Sequence, residues 1–131
     1  MRIVSHSAFG EVHLSATERE LSRLADLVTT GEGSLACESE PAEPGALATV
    51  EVAQATGPGV CIHVDTTRRV LVISGDAGAR AILAANLTGT AQLEDGGHLH
   101  VDYFPDHPYL AAGSVPLVVD SPKGGMPGRW R

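Results

Sequence analysis

The stretch GGHLHVDYFPDHPYLAAGSVPLVV, residues 96–119, combines strand-like alternation with closely spaced histidines and acidic residues. Two short runs in it, HLHVDYF and SVPLVV, have strand character, and a connection that contains two prolines joins them. Because successive side chains of a strand point to opposite faces, His98, His100 and Asp102 share one face, and Leu99 lies on the other. We therefore expect two strands with an apolar core face and a solvent-exposed face rich in histidine.

A helix is predicted near the N-terminus, after a β-hairpin around residues 8–10. Ser15 followed by Glu18 is a capping box, and Gly31 supplies a stop signal. Between these signals, apolar residues recur at helical spacing: Leu21, Leu24, Ala25, Leu27 and Val28. The pattern predicts a helix over residues 16–29.

Three strand-like runs and a second helix occupy the middle of the chain. The runs cover residues 46–55, 60–65 and 69–74, and the short turns between them favour an antiparallel meander. The third run is continuously apolar at its centre, which is typical of a buried middle strand. The helix GDAGARAILAANLTG follows, with Asp76 as its N-cap and Gly89 at its end.

These elements predict an α+β fold, a mainly antiparallel sheet with two helices packed on one face. A length of 131 residues suits one domain, which we place at residues 1–122. Residues 30–45, rich in Gly, Pro, Ser and Glu, are expected to form a mobile acidic loop. Residues 123–131 are expected to form a flexible basic tail. No internal repeat is evident beyond the recurrence of strands and helices.

The composition restricts the partners of the protein. Nine basic residues stand against 16 acidic ones, a net charge of −7, which argues against nucleic-acid binding and favours a basic protein partner. No apolar run approaches the ~18 residues of a membrane span, and the N-terminus lacks the apolar region of a secretory signal. The two cysteines, Cys37 and Cys61, are then expected to be reduced thiols of a cytoplasmic protein. An exposed edge strand could pair two copies as a homodimer.

The alternation of His98, His100 and Asp102 permits three interpretations, of which two are chemical. If the strand of His63 lay beside theirs, these four residues could form the zinc site of a small metal-binding protein or metallo-hydrolase. In an acid–base site, His100 with Asp102 could carry a proton and Ser114 could be the nucleophile. The chain has no Gly-x-Ser-x-Gly elbow and no phosphate-binding loop, which counts against an enzyme.

The third interpretation is a protein-binding surface that needs neither catalysis nor a cofactor. Aromatic side chains set among carboxylates suit a surface that binds Lys and Arg of a partner. Pro105 and Pro108 would hold this segment stiff, which reduces the entropy lost on binding. The expected contact residues are His100, Asp102, Tyr103, Asp106, His107 and Tyr109.

The order of three motifs in this part of the chain resembles a known family. The motifs are Ser74-Gly75 at the end of a strand, GHLHVD at residues 97–102, and GSVPL at residues 113–117. They resemble the immunity protein 32 family of bacterial polymorphic toxin systems, over about residues 69–119. The resemblance implies a short α+β protein that binds and neutralises a cognate toxin, with no catalytic residues to carry over.

Overall fold

The computed structural model describes residues 1–6, 10–38, 44–92 and 97–120. These residues form the strands β1 (Arg2–His6), β2 (Glu11–Ser15), β3 (Gly33–Ala36), β4 (Thr49–Gln54), β5 (Val60–Asp65), β6 (Val70–Gly75), β7 (His98–Val101) and β8 (Leu117–Asp120), and the helices α1 (Glu18–Thr30) and α2 (Ala77–Ala91). The predicted α+β class and the predicted hairpin of β1 with β2 are confirmed. In the described residues the strands form two sheets, with the helices packed on them.

The two sheets have the orders β1-β2-β8-β7 and β3-β4-β6-β5. In each sheet the central pair, β2 with β8 or β4 with β6, is parallel, and the outer pairs are antiparallel. The predicted meander is therefore wrong, because β6 lies between β4 and β5. β6 has apolar residues on both faces and suits this interior position, whereas β5 has the exposed His63 and lies outside it.

The molecule consists of two halves with the same connectivity, which we call the first half (residues 1–54) and the second half (residues 60–120). Exchanging β1-β2-α1-β3-β4 with β5-β6-α2-β7-β8 converts one sheet order into the other. Equivalent positions lie 59 residues apart through the first hairpin and helix: Ile3 and Ile62, Leu14 and Ile73, Leu24 and Leu83, Val28 and Leu87. All eight side chains are fully buried. The two halves thus share the positions and the burial of their core residues more than the residue types. For this reason the sequence alone did not reveal the repeat.

Both helices use their apolar residues in one core. The predicted stripe of α1 is buried at Leu21, Leu24, Ala25 and Val28. It packs against α2 and joins the inner faces of both sheets in a single cluster of buried residues. Burial of this stripe, rather than helix propensity alone, is what stabilises such a short helix.

The helix ends differ in part from the prediction. The N-cap of α1 is Thr17, which forms the capping box with Glu20, because Ser15 is the last residue of β2. Gly31 ends α1 with a left-handed φ of 93°, as expected. Asp76 caps α2 as predicted, but the helix continues past Gly89 to Ala91. The buried side chains in this last turn explain the extension, because the turn packs against the core.

Arg80 of α2 links the two helices inside the core. Its side chain is 4% exposed. Its guanidinium donates hydrogen bonds to the carbonyl oxygens of Val28 at 2.8 Å, Thr29 at 3.0 Å and Gly75 at 2.9 Å. The first two oxygens belong to the C-terminal turn of α1, where carbonyl groups lack helical partners and a cation is favourable.

The region predicted as a mobile loop contains a strand. Residues 33–36 pair with β4, with Leu35 opposite Val50 and packed against the core. Residues 39–43 of that region and the predicted tail at 123–131 lie outside the described residues. In the described part of the chain, no helix is long and apolar enough to cross a membrane.

Candidate functional site

A cleft of about 630 Å³ lies at the N-terminal end of α2. Its walls come from α2 itself, from the turn before β5 at residues 58–59, and from residues 103–112, which lead from β7 towards β8. We call it the α2 cleft. Four of the six predicted contact residues line it: Tyr103, Asp106, His107 and Tyr109.

A tight turn places Asp106 at the rim of the α2 cleft. The backbone N–H of His107 donates to the carbonyl oxygen of Phe104 at 3.0 Å, which closes the turn over Pro105 and Asp106. Asp106 has a φ of +66°. Proline second and a residue of positive φ third are typical of a type II turn, and Asp tolerates that φ better than most residues. The turn therefore fixes the backbone position of the exposed Asp106.

His107 holds the backbone of the two residues that follow Pro108 and packs between two aromatic rings. Its Nδ1 accepts hydrogen bonds from the backbone N–H groups of Tyr109 at 3.1 Å and Leu110 at 3.0 Å. With Nδ1 as an acceptor, the ring proton lies on Nε2. The His107 ring lies 4.6 Å from the ring of Phe104 and 4.7 Å from that of Tyr109, centroid to centroid.

β5 and α2 hold the connection on its other side. Val60 donates its backbone N–H to the carbonyl of Tyr109 at 2.7 Å, and Ala111 donates to the carbonyl of Val60 at 2.8 Å. The hydroxyl of the buried Tyr109 accepts a hydrogen bond from the Asn86 side chain of α2 at 3.2 Å. The stiffness predicted from the prolines is thus reinforced by two neighbouring elements.

Asp76 joins the start of α2 to the turn before β5. Its carboxylate accepts hydrogen bonds from the backbone N–H of Ala79 at 3.0 Å and of Gly59 at 2.7 Å. These two bonds favour the ionised form, so the pKa of Asp76 lies below its ordinary value. One anionic side chain therefore holds two walls of the cleft together.

Large apolar side chains are exposed around the α2 cleft. Tyr103 is 38% exposed and Phe104 53%, and Ile82 of α2 is 42% exposed. In the described part of the chain, these three are the large apolar side chains that face solvent. Asp102 and Asp106 are exposed beside the two aromatic residues. An exposed apolar group with carboxylates at its rim is typical of a surface that binds another protein.

The remaining predicted contact residues, His100 and Asp102, do not line the cleft. His100 lies on the outer face of the β1-β2-β8-β7 sheet with His98, whose Nδ1 contacts Asp120 Oδ1 at 2.8 Å. Sequence reasoning missed that His6 and His13 lie on the same face, with ring centroids 4.9 Å apart. Alternation in β1 and β2 could have shown that these two face outwards. It could not have shown that β2 lies beside β8.

The metal interpretation of the histidine strand is not supported. His63 lies on β5 in one sheet, whereas His98 and His100 lie on β7 in the other. Over residues 1–6, 10–38, 44–92 and 97–120, no three His, Cys, Asp or Glu side chains are close enough to hold a metal ion. The set His63, His98, His100 and Asp102 is therefore not assembled.

Ser114, considered above as a nucleophile, has a structural role. Its hydroxyl oxygen accepts a hydrogen bond from the backbone N–H of Ile62 at 3.1 Å and donates to the carbonyl oxygen of Ala111 at 2.9 Å. The first contact holds the connection against β5, and the second closes a turn within the connection.

Comparison with known proteins supports the resemblance found in the sequence. The family model of immunity protein 32 matches residues 70–122, which is less than half of the chain. The match begins in β6, runs through α2, β7 and β8, and thus includes most of the residues around the α2 cleft. No curated protein and no solved structure matches the chain.

Proposed function

We propose that this protein is a bacterial immunity protein, which binds a cognate toxin in the cytoplasm and neutralises it without catalysing a reaction. The family match over residues 70–122 supports a binding role. The observation that carries the proposal is the stiff segment at residues 103–112, which presents exposed aromatic rings and a carboxylate beside an open cleft within the matched region.

The exposed aromatic pair would supply most of the binding energy. Tyr103 and Phe104 present large rigid rings at the surface, and the hydrogen bonds around His107 hold the following turn in place. Aromatic residues in such positions dominate the energetics of protein interfaces, and a segment ordered before binding loses little entropy. A toxin side chain inserted into the cleft, which Tyr103 and Ile82 both line, would complete the contact.

The charge of the surface favours a basic toxin. The chain has a net charge of −7, and Asp102 and Asp106 are exposed next to the aromatic pair. Carboxylates at the rim of an interface speed the approach of a basic partner more than they strengthen the complex. Toxins that act on nucleic acids need basic surfaces, and an acidic immunity protein would occupy such a surface in place of the substrate.

Co-expression with the toxin tests the proposal. The probe is the C-terminal domain of a large secreted protein encoded immediately upstream of this chain's gene, produced in bacterial cells. Growth should be restored by the native chain and lost with the double variant Tyr103→Ala, Phe104→Ala. The matched control is His63→Ala, which removes an exposed ring from the other sheet. If the native chain fails to restore growth and forms no complex with the domain, the proposal is wrong.

A further inference from the structure

Among the described residues, the two sheets have four edge strands, and other described parts of the chain cover two of them. Along β1, Ser5 donates its N–H to the carbonyl of Gly45 at 2.8 Å, and Leu47 donates to the carbonyl of Ile3 at 2.9 Å. Along β5, the connection from Tyr109 onwards forms the equivalent bonds, including that from Val115 to Ile62 at 2.9 Å. The fold thus protects one edge in each sheet from pairing with other chains.

The edge of β7 is open in the described residues. Residues 98–101 pair with β8 on one side, and no other backbone–backbone hydrogen bond from them is found within the described ranges. His98 and His100 are exposed beside this edge, and Asp102 follows them in the chain. Unpaired N–H and C=O groups along such an edge can bind a further strand.

We propose that this edge pairs with the same edge of a second copy of the chain, as an antiparallel strand. The flanking residues of the run His98-Leu99-His100-Val101-Asp102 complement each other when the run is paired with itself in the opposite direction. With the two-fold axis at His100, His98 lies opposite Asp102 of the second copy, and Leu99 lies opposite Val101. Directly opposite residues share a face of the sheet. The His98–Asp102 pairs therefore lie on the outer face, and the Leu99–Val101 pairs lie on the inner face.

In the dimer, His98 of each copy would lie between two carboxylates. In one copy, Nδ1 of His98 already contacts Asp120 on β8 at 2.8 Å. Asp102 of the second copy would approach the same imidazole from the open side. The dimer therefore contains two identical rows of Asp120, His98 and Asp102 on the outer face of a continuous eight-stranded sheet.

The inner face of the same pair would extend the core. Val101 is fully buried and Leu99 is half-buried and packed against the core. Placing Leu99 opposite Val101 of the second copy covers the side of Leu99 that faces the open edge. An apolar pair opposite each other in an antiparallel sheet is favourable.

β3, whose outer edge is also open as far as the structure describes the chain, does not have this self-complementary pattern. Its residues are Gly33, Ser34, Leu35 and Ala36, and Gly33 has a left-handed φ of 137°. Reversing this run against itself pairs no opposite charges, so β7 is the edge that the sequence favours for pairing. The pairing would also give a role to Asp102, a predicted contact residue that does not line the α2 cleft.

Sedimentation of the full chain at micromolar to millimolar concentrations tests the dimer. A pair of short strands buries less surface than a stable dimer requires, so the expected result is a reversible dimer that forms with increasing concentration. A chain that stays monomeric throughout this range overturns the proposal. The expected masses are those of one and two 13.6 kDa chains.

Two charge variants and their mixture test the register. Asp102→Lys puts an ammonium opposite His98, and His98→Glu puts a carboxylate opposite Asp102, so each variant alone should dimerise about tenfold more weakly. In a mixed dimer, His98 of the Asp102→Lys chain lies opposite Asp102 of the His98→Glu chain, as in the native pair. At the second contact, the introduced lysine lies opposite the introduced glutamate. The mixture should therefore regain association.

The mixture separates pairing from local damage to the chain. A carboxylate introduced at position 98 also lies beside Asp120 of its own chain, and it does so equally alone and in the mixture. Ser34→Lys on the β3 edge is the control and should leave association unchanged. Variants that dimerise like the native chain, or a mixture that fails to regain association, would overturn the β7 pairing.

Discussion

The two halves of the molecule share one connectivity and differ at the N-terminal end of the helix. In the first half, the ammonium group of the buried Met1 binds the carboxylate of Glu20 on α1. The equivalent positions in the second half are Val60 and Ala79, and Ala79 lines the open α2 cleft. The first half thus fills this place with an internal ion pair, whereas the second half leaves a concave surface beside exposed aromatic rings.

This difference separates the residues that make the fold from those that form the proposed binding surface. The equivalent positions that match between the halves are buried apolar residues such as Ile3 and Ile62. The positions that differ lie at the helix start and in the connection at residues 103–112. The family match falls on the second half, where the cleft lies.

The largest effect on stability is expected at Arg80, whose equivalent in the first half is the fully buried Leu21. Arg80→Met fills the same place in the core with an apolar side chain. It removes the guanidinium that donates to the carbonyl oxygens of Val28 and Thr29. We expect the free energy of unfolding to fall by about 2–4 kcal/mol, measured by urea denaturation.

The control for this substitution is Arg23→Met, on the exposed side of α1. It should change the free energy of unfolding by less than about 0.5 kcal/mol. Similar small changes in both variants would contradict the view that Arg80 joins the halves.

A smaller effect, dependent on pH, should distinguish the two helix starts. The N-terminal ammonium and the backbone N–H of Thr17 lower the pKa of Glu20, and the backbone N–H groups of Ala79 and Gly59 lower that of Asp76. A native pKa below the unfolded value stabilises the fold above the ordinary carboxyl pKa. This contribution is lost as the pH falls through the lowered native pKa.

Acetylation of the N-terminus separates the two contributions. It removes the ammonium that lowers the pKa of Glu20 and leaves Asp76 unchanged. Urea denaturation across the acid range should show that the acetylated chain loses less of its free energy of unfolding as the pH falls. Adding Asp76→Asn should make this loss smaller still. An acetylated chain with the native pH dependence would show that the ion pair at Met1 does not stabilise the first half.

Much of the fold could be predicted from local patterns in the sequence. The stripe of α1, the Asp76 cap and the outward histidines of β7 each depend on residues close together in the chain. The cap of α1 was misplaced because Ser15 and Thr17 both precede a glutamate at capping-box spacing. Only the pairing of Ser15 in β2 decides between them.

The long-range pairings could not be predicted. The run Gly33–Ala36 has weak strand propensity and becomes a strand because β4 offers it a partner. The parallel neighbours β2 and β8 are separated by almost the whole chain, so no local signal brings His13 near His100. The segment at residues 103–112 could be singled out from its composition, but the cleft also depends on α2 and on the turn before β5.

Calorimetry of the upstream-encoded toxin domain with this protein measures directly whether the α2 cleft binds the toxin. Tyr103→Ala with Phe104→Ala should weaken binding about 100-fold or more, because exposed aromatic anchors dominate such interfaces. The free energy of unfolding of this variant should change little, and Glu20→Gln in the first half should bind like the native chain. Native affinity in the double variant, or a loss of affinity confined to Glu20→Gln, would contradict the assignment of toxin binding to the α2 cleft.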